Sequence, residues 1–116
     1  MDKAIANNGF LPNLIAVLSS APAALETYLT VSGINARASL TLAEREVVQI
    51  TAARLHGCDF CVAGHTAVAL KKAEMDTPVV CSLQLGSATG APRLDALADF
   101  TRAVVASRGA VSDAEL

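Results

Sequence analysis

Thr41-Leu42-Ala43-Glu44-Arg45-Glu46-Val47-Val48-Gln49-Ile50-Thr51-Ala52-Ala53-Arg54-Leu55-His56-Gly57-Cys58-Asp59-Phe60-Cys61-Val62-Ala63-Gly64-His65 is the stretch on which the fold turns. It opens with Thr41-Leu42-Ala43-Glu44, a capping box in which a hydroxyl and a carboxylate satisfy free amides at a helix start. The body runs to about His56, where Gly57 can supply the left-handed residue that ends a helix. A second helix begins near Cys58 and continues to about Lys72. Two helices joined by so short a turn must double back on one another.

Outward from this pair the punctuation marks more helices. Residues 9–12 form a turn before the apolar run Leu14–Leu18. Ser20-Ala21-Pro22 opens a helix with proline at its first position, running through Tyr28, Leu29 and Val31, with Gly33 as a point of interruption or ending. Asp76-Thr77-Pro78 opens another that stops at Gly86. After the loop 86–90, Ala91-Pro92 opens a last one ending at Gly109. No segment alternates with period two, so strands are not expected. The expectation is an all-α bundle of five to six helices, a single domain over residues 1–116. Ser112-Asp113-Ala114-Glu115 is a further capping box followed only by Leu116, which reads as a helix start in a chain truncated or incomplete at its C-terminus.

Composition narrows the function classes. The 116 residues are 53% hydrophobic, 17% charged and 3% aromatic, which excludes a disordered chain. A net charge of −2 offers no electrostatic footprint for nucleic acid or an anionic membrane. The longest apolar run, Leu14–Leu18, falls far short of the roughly 20 residues of a membrane span. Three cysteines and an N-terminus unlike a secretory signal point to a reducing, cytoplasmic setting. Alanine supplies 23 residues, and so small a side chain buries little area. Such a chain is expected to gain stability by oligomerising through its helix faces.

The chemistry concentrates in Cys58-Asp59-Phe60-Cys61 and His65. Residues three and four apart share a helix face, so this spacing turns Cys58, Cys61 and His65 the same way. Two thiols one turn apart can close a disulfide. A helix N-terminus lowers a thiol's pKa, and an imidazole one turn on can relay a proton. Glu46 falls on the core-facing stripe of the preceding helix, near Ile50 and Ala53, and the Gly57 turn can lay it beside the cysteine helix. Other readings stand beside this one. Cys58, Cys61 and His65 make three zinc ligands without a suitably spaced fourth, and two inert core thiols are a second alternative. Glu46 alone reads as an ordinary helix carboxylate. Val62 stands where haem attachment needs histidine, and a thioredoxin-like domain would need strands. Cys81 reads as a small core residue. No cofactor and no metal are expected.

Thr41–Val48, Ala52-Ala53, Cys58-Asp59-Phe60-Cys61 and His65 together resemble the alkylhydroperoxidase D-like branch of the carboxymuconolactone decarboxylase family, over roughly residues 10–116. There a glutamate precedes the first cysteine by twelve residues, as Glu46 precedes Cys58. The resemblance implies an all-α fold assembling as trimers or hexamers. It implies thiol-dependent reduction of peroxides by Glu46, Cys58, Cys61 and His65, with the oxidised pair regenerated by an external dithiol, lipoyl or thioredoxin-like. It favours Cys61 as the attacking thiol, whereas the helix-terminus argument alone favours Cys58. Some members place histidine where this chain has Phe60, and the decarboxylase branch generally lacks the cysteine pair. A non-catalytic redox-sensing or interaction module is the alternative function.

Overall fold

The computed structural model describes residues 12–116 together with Asp2, Ile5 and Ala6. Of the turn expected at residues 9–12, residues 9–11 lie outside this description. The chain divides into two compact units, Met1–Ser39 and Leu40–Leu116.

The first unit holds α1 (Asn13–Leu18) and α2 (Pro22–Asn35), which pack together. Pro22 takes the first position of α2, where its missing N–H costs nothing. Gly33 does not end this helix; it continues to Asn35, since a single glycine costs a helix only about 1 kcal/mol. No residue of α2 is buried, and Tyr28, Leu29, Val31 and Ile34 all stand exposed.

The second unit holds α3 (Leu42–Leu55), α4 (Asp59–Lys71), α5 (Thr77–Leu85), α6 (Pro92–Ser107) and a 3₁₀ turn, Asp113–Glu115. Among the described residues there is no strand, and the fold is all-α. The unit is organised around α3, which packs against α4, α5 and α6. Val47 and Ile50 of α3 meet Ala69 of α4, Val80 and Leu83 of α5 and Ala98 of α6, with Met75, Leu94 and Leu97 against them. Ala69 and Ala98 bring only a methyl group each to this core, and among the described residues no aromatic ring enters it; Phe60 and Phe100 are both exposed.

The helix ends follow their local chemistry. Thr41 Oγ1 accepts the Glu44 N–H at 3.2 Å, and Glu44 Oε2 accepts the Thr41 N–H at 2.9 Å, closing the expected capping box of α3. The other Glu44 oxygen accepts from Arg93 Nε at 2.5 Å, joining the starts of α3 and α6. Gly86 ends α5 with φ 71°, a conformation that a Cβ disfavours. The end of α6 differs from expectation. Arg108, not Gly109, is the first left-handed residue, with φ 55°, and Gly109 follows at 91°. Ser112 donates from both its N–H and its hydroxyl to the Glu115 carboxylate, so this capping box closes a single 3₁₀ turn.

One core assignment is corrected. Cys81 is a free, exposed thiol. The inward face of α5 is set by Val80 and Leu83, and the next residue after Val80 is rotated about 100° away from it.

Candidate active site

The site is assembled from the end of α3, the three-residue turn His56-Gly57-Cys58 and the first two turns of α4. Gly57 takes φ 66°, as expected from its place after the helix. The Gly57 N–H donates to the Arg54 carbonyl and the Cys58 N–H to the Ala53 carbonyl, so the last carbonyls of α3 hold the reversing chain. α3 and α4 then pack against each other along their lengths.

Cys58 is the N-cap of α4 and not a residue on its face, with φ −88° and ψ 88°. Its Sγ accepts the Cys61 N–H at 3.2 Å, taking the place of the hydroxyl or carboxylate that usually caps a helix. Cys58 and Cys61 are joined in a disulfide, their Cα atoms 5.3 Å apart. Both are half-buried. Shared orientation on a helix face therefore holds for Cys61 and His65, while Cys58 is tied to them through the bridge.

Glu46 is only 5% exposed, as its place on the inward stripe of α3 predicts. A buried carboxylate needs a partner. Its partner is His65, whose Nδ1 lies 2.7 Å from Glu46 Oε2, nineteen residues away along the chain. With Glu46 ionised, Nδ1 carries the proton and donates it to the carboxylate, which leaves Nε2 as the basic atom of the ring. The His65 side chain keeps 33% of its surface open, so the ring is anchored on one side and accessible on the other. The structure thus brings Glu46 to His65 and Cys58 to Cys61. Cys61 and His65 lie one helical turn apart, and among the described residues no hydrogen bond joins the imidazole to either sulfur.

A second set of bonds beside the site is not evident from sequence spacing. Arg54 Nε donates to the Gln84 carbonyl at 3.0 Å, and Gln84 Nε2 donates to Thr66 Oγ1 at 2.9 Å. Arg54 stands just before the turn and Thr66 just after His65, so the end of α5 braces both helices that carry the site. Gly86 leaves room for this: a Cβ there would lie 2.7 Å from Arg54 Cζ. A glycine closing α5 was the available signal, but its neighbour from α3 was not. Among the described residues no group of three or more His, Cys, Asp or Glu is placed to hold a metal ion. No described helix is long and apolar enough to cross a membrane.

A helical unit carrying a vicinal cysteine pair at one helix start, beside a carboxylate–imidazole pair bridging two helices, defines a class of small α-helical proteins with a dithiol site. The carboxymuconolactone decarboxylase family matches residues 22–111, from the start of α2 past the end of α6. The chain belongs to that family. A search of the curated proteins finds no match to the chain.

Proposed function

We propose that this chain is a thiol-dependent peroxidase of the alkylhydroperoxidase D-like branch, reducing hydrogen peroxide or small organic hydroperoxides as an antioxidant enzyme. The observation that carries the reading is the Glu46–His65 hydrogen bond of 2.7 Å, one helical turn from Cys61 of the disulfide. A carboxylate that fixes one ring nitrogen leaves the other to take and return a proton, which peroxide reduction by a thiol requires. Family membership supports the general reading, and the cysteine pair favours this branch over the decarboxylases.

In the proposed cycle the Cys61 thiol gives its proton toward His65 Nε2. Its thiolate attacks the nearer peroxide oxygen; the O–O bond breaks and the leaving oxygen takes the proton as alcohol or water. Cys61 is then a sulfenic acid, and Cys58 displaces its hydroxyl as water to form the disulfide. An external dithiol, lipoyl or thioredoxin-like, returns the pair to thiols while becoming a disulfide itself. No resident cofactor takes part.

Peroxide consumption with dithiothreitol or dihydrolipoamide tests this, beside a Cys58→Ser, Cys61→Ser double variant. Sustained turnover confined to the wild-type chain is expected. Stoichiometric oxidation without turnover would turn the assignment to a redox-sensing module.

A further inference from the structure

The two sulfurs of the bridge are not equivalent, and their difference bears on the half-reaction in which the disulfide is opened. Cys58 Sγ accepts the Cys61 N–H from the N-cap position of α4, a helix of 13 residues. Charge arriving on that sulfur meets an N–H already aimed at it and the positive end of the helix dipole. Cys61 Sγ has no hydrogen bond among the described residues; its neighbour one turn on is His65, anchored by Glu46. In thiol–disulfide exchange, the sulfur better able to bear charge is the one that leaves.

We infer that an incoming thiol attacks Cys61 Sγ and expels Cys58 as the thiolate. The incoming thiolate forms a new S–S bond to Cys61, and the Cys58–Cys61 bond breaks with its electron pair passing to Cys58 Sγ. The second thiol of a dithiol then attacks its own sulfur in the mixed disulfide. Cys61 is released, protonated from the His65 side, and the dithiol leaves as its disulfide. Two electrons and two protons pass from reductant to protein. This rests on the reading that an external thiol reopens the bridge. The ionisable residues next to Cys58 along the chain are His56 and Asp59, both exposed; Arg54 at the end of α3 is turned to the Gln84 carbonyl, and His65, paired with Glu46 of α3, lies one turn beyond Cys61 on α4.

The test uses the oxidised chain and no peroxide, so it stands or falls separately from peroxidase activity. Limiting glutathione is added, the exchange is quenched with acid, and freed thiol is blocked with N-ethylmaleimide. Fragmentation of the peptide spanning residues 55–71 then locates both groups. Glutathione on Cys61 with maleimide on Cys58 is expected in several-fold majority. An even split, the reverse placement or no adduct at all overturns the inference. Unequal accessibility alone can mimic the expected split, so acidity is measured too. Iodoacetamide alkylation against pH compares reduced Cys61→Ser, which keeps the backbone N–H at position 61, with reduced Cys58→Ser. Cys58 should titrate about one pH unit or more below Cys61, roughly a tenfold difference in acidity. Equal or inverted values overturn the inference.

Discussion

Glu44 and Arg93 join the first turns of α3 and α6 across 49 residues of chain, Oε1 accepting from Nε while Oε2 serves the Thr41 cap. The Arg93 hydrogen bond, and after it the Thr41 N–H, hold the Glu44 carboxyl below its ordinary value of 4.5. A carboxyl lowered by folding contributes stability above its unfolded value and loses it as pH falls through the folded one. The thermal midpoint should therefore drop as pH is lowered from about 4.5, and Glu44→Gln should flatten part of that slope. Asp95, held down chiefly by the Thr89 N–H and hydroxyl, accounts for a remaining part. Thermal melts between pH 3 and 6 check this; an unchanged slope in Glu44→Gln removes the pair from the acid response.

His65→Ala keeps both cysteines but removes the proposed proton carrier, so thiol oxidation by peroxide near neutral pH should slow on the order of a hundredfold. Glu46→Gln keeps a hydrogen-bonding partner for Nδ1 without the charge, and should slow it as well, by less than removal of the imidazole does. Circular dichroism should show both chains still helical. A Glu46→Gln chain that oxidises at the wild-type rate returns Glu46 to an ordinary structural role.

The cysteines should separate cleanly when one is removed. Cys58→Ser should consume roughly one peroxide per chain and leave a sulfenic acid on Cys61 that a dimedone reagent labels. Cys61→Ser should react much more slowly, and neither should sustain turnover with a dithiol. Label on Cys58 alone, found in Cys61→Ser and not in the reverse variant, inverts the two roles.

Two glycines give opposite expectations. Gly86 sits at φ 71°, and a Cβ there would press on the guanidinium that Arg54 holds against the Gln84 carbonyl. Gly86→Ala should destabilise by roughly 1 kcal/mol or more through the backbone alone. Gly33 lies within α2 with nothing within 4 Å of its Cβ position, so Gly33→Ala should stabilise by about 0.5–1 kcal/mol. Urea denaturation of both variants distinguishes them; equal signs would contradict the assigned conformations.

Assembly can be weighed directly. Exposed Tyr28, Leu29, Val31 and Ile34 on α2, in a chain with few large core residues, predict association of copies at micromolar concentration. Sedimentation should show a trimer or hexamer. A folded monomer that persists across that range would refute the prediction.

What was legible in the sequence was local. The Thr41–Glu44 box, the Gly57 stop and proline at the starts of α2, α5 and α6 act over a few residues, and they delimit the helices closely. The helical period put Glu46 inward, and the short turn put it near α4, so its approach to His65 followed from geometry over nineteen residues. What could not be read depends on distant packing. Arg93 as partner of Glu44, the Arg54–Gln84–Thr66 brace and the outward turn of Cys81 are decided by how α5 and α6 lie on α3. No spacing rule contains that information.

The turn between α3 and α4 also fixes what the chain can tolerate in length. Its Gly57 and Cys58 amides are both spent on α3 carbonyls, and Cys58 already caps the next helix, so the three residues hold no slack. One inserted residue passed on to α4 would rotate that helix by about 100° about its axis and move it along by about 1.5 Å. His65 would swing off Glu46 while every residue of the site was still present. The site is thus written in the count of residues as much as in their identity, and a frame-preserving insertion of a single codon there erases it as surely as loss of a cysteine.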